Sequence, residues 1–155
     1  MPTVTDSDVA AGLLTRWAAT AALHALVPAT TVFRGRAAEK FSGTISRPPY
    51  AKLTVSEQGR QLFSGPKYLT TFSITVEAYT AAEPPVANAL RSALDAAFNG
   101  TTAAPAAGLT AANGTVISSF AESGTTTRPT GERIDGKDVV KTTAAYKILV
   151  EADRG

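Results

Sequence analysis

The stretch Tyr68–Thr80, YLTTFSITVEAYT, constrains the fold more than any other part of the chain. Its two faces differ in polarity. The apolar face carries Tyr68, Phe72, Ile74, Val76 and Ala78, and the mostly polar face carries Leu69, Thr71, Ser73, Thr75, Glu77 and Tyr79. Strict alternation in a run rich in β-branched and aromatic residues predicts a long, half-buried strand. Its length is about twice the usual five or six residues, which predicts a central strand of a sheet.

Two amphipathic segments supply the cover that this apolar face needs. The first follows Thr5 and Asp8, which have capping-box spacing, and it carries an apolar residue every fourth position from Val9. We expect that helix to run to about Leu26 and to end at Val27-Pro28. The second helix is expected to begin near Pro84-Pro85 and to stop at Asn99-Gly100.

Shorter alternating runs predict the remaining strands, at Thr31–Phe33, Tyr50–Glu57, Thr115–Phe120 and Thr142–Val150. With the connections between them, this order predicts an α+β fold over residues 1–155 as a single domain. The sheet is expected to be mainly antiparallel, of about four to five strands, with two helices packed on one face.

Three connections lack a clear core pattern. Residues 58–67 are expected to return the chain as a hairpin, and Leu62 and Phe63 within them either fold back on the core or form an apolar tip that packs on another subunit. Residues 100–114, rich in alanine and threonine, are expected to be an exposed connection, either irregular throughout or with one short turn around Leu109. Residues 122–138 are a long loop, which is typically functional or disordered, or a hairpin arm that extends the pairing of the strands beside it.

Several chemical classes are excluded or disfavoured by the residue types present. The chain has no cysteine and a single histidine, His24, so thiolate metal sites, disulfides and histidine clusters are excluded. No phosphate-binding or dinucleotide-binding glycine motif occurs, and Asp135-Gly136 fits a hairpin turn better than a calcium loop. We therefore predict no catalytic residue, no cofactor and no metal. The absence of a long apolar run and of a signal-peptide pattern predicts a protein used inside a cell or packed into a particle assembled there, with no membrane partner.

Charge is distributed unevenly along a nearly neutral chain of net charge +2. Between Arg34 and Lys67 there are seven basic residues against two acidic ones. This basic stretch either faces phosphate or an acidic partner, or consists of solvated charges that also discourage sheet-edge aggregation. The residues that we predict as candidate interface positions are Arg34, Arg36, Arg47, Leu62, Phe63, Arg128, Arg133 and Ile134.

The order of elements, with three short motifs, resembles the tail terminator proteins of long-tailed bacteriophages. The motifs are Phe33-Arg34-Gly35-Arg36, the strand Pro49–Val55, and Tyr68–Tyr79 leading into a helix, followed by a closing strand with Tyr146. The resemblance covers most of the chain. It departs from the family pattern in residues 100–114 and 122–138.

This resemblance implies a non-enzymatic virion protein, located in the tail or neck and assembled in the host cytoplasm. The implied state is a homo-oligomeric ring, expected to be a hexamer, that caps the last ring of the tail tube. Its implied partners are the tail tube protein and the head connector or stopper protein. Genome DNA would pass through such a ring without sequence-specific binding.

Two other classes of function are compatible with the sequence, beside another neck, connector or tail component with the same core fold. A small ligand-binding α+β domain would show a concave pocket with converging polar groups. A basic nucleic-acid-binding module would use the Arg34–Lys67 stretch, but the sequence lacks the clustered aromatics of such modules.

Overall fold

A computed structural model describes residues 3–34, 48–62, 67–82 and 86–153 of the chain. Its elements are, in chain order, α1 (Asp6–Ala19), α2 (Ala21–Leu26), a 3₁₀ turn (Ala29–Thr31), β1 (Val32–Arg34), β2 (Tyr50–Leu62), β3 (Lys67–Thr80), α3 (Ala87–Phe98), β4 (Thr115–Ile134) and β5 (Lys137–Asp153). The predicted α+β class is confirmed.

The five strands form one mixed, mostly antiparallel sheet in the order β1-β2-β3-β5-β4. β3 lies at its centre, as the alternation of Tyr68–Thr80 predicts. It pairs with β2 from Leu62↔Tyr68 to Tyr50↔Tyr79 and with β5 from Lys67↔Asp153 to Thr80↔Val140. The short strand β1 is parallel to β2 and pairs only with residues 51–53.

The hydrophobic core lies between the helices and one face of this sheet. Every second residue of β3 from Thr70 to Thr80 is buried, and the same holds for β5 from Thr142 to Ala152. Trp17 of α1 is fully buried and donates its indole N–H to the carbonyl of Val27 at 2.7 Å. The helices therefore cover the face of β3 that the sequence marks as apolar.

The first predicted helix is interrupted, so the expectation of one continuous helix to Leu26 was wrong. Thr20 is extended, with φ −91° and ψ 96°, and it separates α1 from α2. Its hydroxyl donates to the carbonyl of Arg16 at 2.8 Å, and its backbone N–H donates to Arg16 and Trp17. A threonine side chain that competes for backbone partners explains the break. α3 begins at Ala87, and Pro84-Pro85 lie outside the described residues.

Residues 100–114 are largely exposed, as expected, but two of them pack against the core. Ala107 and Leu109 are each only 6% exposed. Thr110 lies against α1 so closely that a Cβ atom on Gly12 would stand 1.7 Å from its carbonyl oxygen. The burial of Ala107 and Leu109 could not be predicted, because an irregular segment of small residues leaves no periodic pattern.

The strands are longer than their apolar patterns predict. β2 continues to Leu62 and β3 begins at Lys67, so most of the expected 58–67 connection is paired strand. Between a loop and a hairpin arm for residues 122–138, the structure shows the arm: β4 reaches Ile134, and the turn Asp135-Gly136 leads into β5. We refer to residues 122–138 as the arm.

Candidate protein–protein interface

The sheet face turned away from the helices carries paired charges. Alternate residues of β3 and β5 on this face are half-buried rather than exposed. Three ion pairs cross it, Lys67–Glu151 at 2.7 Å, Lys141–Glu77 at 2.7 Å and Lys147–Glu122 at 3.6 Å. The face is therefore polar and electrostatically balanced along these strands.

An aromatic and ionic cluster holds the root of the arm on this same face. The rings of Tyr50 and Tyr79 stack at 4.7 Å, and the ammonium of Lys141 lies 5.9 Å from the ring centre of Tyr79. The hydrogen bond from Lys141 to Glu77 raises the pKa of the ammonium group above its ordinary value. Val139, at the start of this region, is only 2% exposed. These contacts give the arm a defined starting direction.

The distal part of the arm extends beyond the central strand. Thr80, the last residue of β3, pairs with Val140, which pairs in turn with Pro129 of β4. Residues 130–134 and 137–139 thus form a two-stranded ribbon without a β3 neighbour. Most of its side chains are exposed. An isolated two-stranded ribbon is at best marginally stable in water, so this part depends on its turn and its polar contacts.

Those polar contacts are local. Asp135 and Gly136 have φ values of +52° and +76°, as a tight two-residue hairpin turn requires. Arg133 lies 3.4 Å from the carboxylate of Asp138 and donates to the carbonyl of Gly136 at 2.6 Å. Thr130 donates its hydroxyl to the carbonyl of Val139 at 2.9 Å. The sequence prediction of a hairpin turn at Asp135-Gly136 is confirmed.

The outer edge of β4 is covered up to the base of the arm. Ser119 exchanges backbone hydrogen bonds with Pro105 and Gly100, at 2.9 and 2.6 Å. The N–H of Ala121 donates to the Asn99 side chain at 3.0 Å, and Arg91 donates to the carbonyl of Thr125 at 3.1 Å. An edge strand whose backbone groups are already bonded resists pairing with another chain.

The two hairpins of the sheet point in opposite directions. The β2–β3 hairpin closes after Leu62↔Tyr68, beside the end of β5 at Ala152. The β4–β5 hairpin closes at Asp135-Gly136, beyond the start of β2 at Tyr50. The β4–β5 hairpin therefore extends past the end of β3, whereas the described part of the β2–β3 hairpin ends level with β5.

The structure brings together only part of the predicted interface set. Arg128, Arg133 and Ile134 all lie on the arm. Arg34 lies at the end of β1, where it contacts Asp6 at 3.4 Å and donates to Ser7 at 2.7 Å, which ties it to α1. Leu62 ends β2 at the opposite end of the sheet, and its side chain is not among those that the structure describes. Arg36, Arg47 and Phe63 lie outside the described residues.

The basic stretch is partly balanced within the chain. In addition to the Arg34–Asp6 contact, Arg60 lies 3.1 Å from Glu57, and Lys67 is paired across the sheet with Glu151. These pairs favour a solvated, internally compensated surface for that part of the stretch that the structure describes. The hypothesis of a phosphate-facing surface gains no support from them.

Two exposed apolar residues on β4 were missed by the sequence analysis. Ile117 is 38% exposed and Phe120 is 43% exposed. The register shift between Val116 and Ser118 explains why simple alternation would not identify them, because it changes which side chains point toward the core. Their position on one strand could be inferred from the sequence, but the bulge could not.

A cavity of about 220 Å³ lies between the end of α2 and the end of β3, lined by Ala25, Leu26, Pro49, Thr80, Ala81, Ala82 and Val86. Its lining contains no ionisable side chain, so it lacks the converging polar groups that a small-molecule site uses. Within the described ranges, no group of three or more potential metal ligands occurs. No helix in this part of the chain is both long and apolar enough to cross a membrane.

No protein-family model matches the sequence, and no curated protein matches it. Solved structures with a similar fold include a chain of the virion of a native gene transfer agent (GTA) particle, with 15% identity and a TM-score of 0.47, covering 96% of each chain. A second solved structure, whose name states no function, has 15% identity and a TM-score of 0.46, and covers 94% of this chain and 96% of its own. Likeness at this level assigns no function to the chain.

Proposed function

We propose that this protein is a structural subunit of a phage-type virion. In this proposal it forms a ring, expected to be a hexamer, at the head-proximal end of the tail, terminates polymerisation of the tail tube and offers the surface for joining the head. Its partners are further copies of itself, the tail tube protein and the head connector or stopper protein. The ring acts by binding and needs no cofactor.

The observation that carries the proposal is the distal part of the arm, which extends beyond the last pair of β3 with β5. A ring requires a heterologous contact, in which one surface of a subunit meets a different surface of the next. A domain with an extended arm at one end of its sheet, and no counterpart of that arm among the described residues of the other end, offers two unlike surfaces. The sequence resemblance to tail terminator proteins supports the same role.

The length of the arm is a second supporting feature. Its distal residues do not contribute to the helix-covered core, and closing β4 and β5 with a short turn would cost little, because loop entropy changes by only ~0.6 kcal/mol for each doubling of length. Since folding neither requires nor strongly opposes these residues, their presence is explained best by a contact outside the domain.

Polymerisation of the tail tube gives the direct test of this function. Tube protein from the same virion is polymerised with and without the purified chain, and tube length is measured by electron microscopy. A terminator shortens the tubes and binds at one end only. Tubes of unchanged length, with the chain bound at no end, would contradict the proposal, while binding along the whole tube would favour a different tail component.

The basic stretch provides a further test, which addresses Arg34, Arg36 and Arg47. If these residues meet an acidic partner, reversal of their charge weakens assembly while the fold of the monomer is kept. Exposed ion pairs weaken as the Debye length falls to ~3 Å at 1 M salt. If assembly responds neither to salt nor to charge reversal, these residues are solvated surface charges and do not contact a partner.

A further inference from the structure

Arg128 lies in an unfavourable electrostatic position. It stands on β4 directly opposite Lys141 of β5. The charge of Lys141 is already balanced by Glu77 at 2.7 Å, and Glu77 also accepts a hydrogen bond from Tyr79. Like charges directly opposite one another on paired strands are destabilising. The fold therefore holds an arginine next to another cation without providing it with an acid.

Six other cations of the sheet have a carboxylate partner: Arg34, Arg60, Lys67, Arg133, Lys141 and Lys147. Among the residues that the structure describes, Arg128 forms no ion pair, and neither does Lys137 on the facing strand of the arm. These two cations both lie on the arm.

Few carboxylates of the chain itself remain to pair with Arg128 and Lys137. Most carboxylates of the described residues already have a partner, from Asp6 near the N-terminus to Glu151 near the C-terminus. Glu132, on the arm, lies near Tyr50: burial and the Tyr79 phenol raise the pKa of the Tyr50 hydroxyl, and Glu132 adds to that effect. A different protein is consequently the better source of a carboxylate than a second copy of this chain.

The backbone of the arm favours contact through side chains over strand addition. Pro129 follows Arg128 and has no N–H to donate to a neighbouring strand. Arg91 occupies the carbonyl of Thr125, and the register of β4 is irregular between Ser123 and Thr126 and between Pro129 and Arg133. Bulges and proline both disfavour edge pairing.

We propose that Arg128, together with Lys137, forms a docking contact for a carboxylate-bearing surface of another virion protein, in addition to the contact through which the arm joins the next copy in the ring. The inference rests on the proposed function, because it gives the chemistry of the partner at the arm. A guanidinium binds a carboxylate through two parallel N–H···O bonds, which fixes direction as well as register. The arm carries three cations and four carboxylates, so a discrete acidic side chain fits it better than a polyphosphate chain.

The experiment uses the full chain, isotopically labelled, and follows arginine and lysine side chains by NMR. The probes are a blocked tetraglutamate and a five-nucleotide thymidine oligomer of about the same charge. The double variant Arg128→Gln with Lys137→Gln is compared with Arg133→Gln with Lys147→Gln. Both variants lose two positive charges, but the control removes cations that already have partners. Backbone spectra verify that both variants are folded.

We expect tetraglutamate to shift the signals of Arg128 and Lys137 more than those of Arg133 and Lys147. Its affinity should fall about fivefold in the first variant and less than twofold in the control, which is the range of two exposed ion pairs. Equal losses in the two variants, or equally tight binding of the oligonucleotide at the same residues, would overturn the inference. Native mass is measured in parallel: a monomer that still shows the contact would contradict the ring, whereas a ring whose arm ignores tetraglutamate would contradict only the contact.

Discussion

Strand β5 passes through two environments that follow different rules. From Thr142 to Ala152 every second side chain is buried against the helices. From Lys137 to Val140 the strand belongs to the arm, where Val139 alone is buried. In the first region hydrophobic burial fixes the register, because a slip by one residue would move every apolar side chain to the other face. In the second, the turn at Asp135-Gly136 and a few polar contacts fix it.

The comparison shows where the free energy of folding is concentrated. Helix-covered positions contribute through burial, at about 25 cal/mol for each Å² of apolar surface removed from water. The arm buries little surface, and its ion pair Arg133–Asp138 is exposed, with 66% and 74% of the two side chains accessible. Exposed pairs contribute little to stability. Substitutions should therefore have large effects on the free energy of unfolding in the first region and small ones in the second.

The largest effect is expected in the centre of β3. Phe72→Ala or Ile74→Ala removes a fully buried side chain and should each cost about 2–5 kcal/mol in the free energy of unfolding. Thr71→Ala and Ser73→Ala, on the opposite face, should cost much less. Denaturant melts of the monomer make the comparison, and equal costs on the two faces would show that the period-two assignment is incorrect.

A second effect is expected where residues 100–114 pack on α1. Gly12→Ala places a methyl group 1.7 Å from the carbonyl oxygen of Thr110, so either the helix or this connection must move. Overpacking of this kind typically costs about 1–3 kcal/mol. Gly124→Ala, in the arm, is the matched control, because no heavy atom lies within 4 Å of the added methyl. Equal melting temperatures for the two variants would mean that residues 100–114 do not pack on α1 as described.

A structural element could be predicted from the sequence where its buried side chains recur at a regular spacing along the chain. The position of β3 and the helix stop at Asn99 were predictable, because alternation and capping residues act locally. The break at Thr20 was not, since it depends on a hydroxyl that competes with the helix. The packing of Ala107 and Leu109 was not predictable either, because small residues in an irregular segment leave no periodic signal.

The location of the arm was predictable, but the partners of its side chains were not, and its role as an interface stays a prediction. The polar composition of residues 122–138 identified a segment outside the core, and Arg128, Arg133 and Ile134 do lie together on it. The difference between Arg133, which pairs with Asp138, and Arg128, which faces Lys141, depends on strand register. That register includes bulges, which could not be predicted from the residue pattern of β4.

A smaller effect is expected at the start of α1, and it depends on pH. The backbone N–H of Thr5 donates to the carboxylate of Asp8 at 2.8 Å and lowers the pKa of that group below its ordinary value of 3.8. Because the folded-state pKa is depressed, its contribution to stability is present above about pH 4 and is lost as pH falls through the folded-state pKa. Asp8→Asn should flatten the stability profile in this window and leave neutral-pH unfolding cooperative. An unchanged acid profile would show that the capping box does not contribute.

The smallest effect on stability is expected from shortening the arm, and this change also tests the central claim most directly. Residues 131–138 are replaced by Asn-Gly, which joins Thr130 to Val139, so that the pairing of Pro129 with Val140 is preserved. Asp135→Asn, which keeps the full length, is the control. Native mass is then measured for both variants at equal concentration. We predict that the control forms the same closed ring as the unaltered chain, while the shortened chain stays a folded monomer with an unchanged melting temperature. A shortened chain that still forms the ring, or one that no longer folds, would contradict the assignment of the arm as the assembly element.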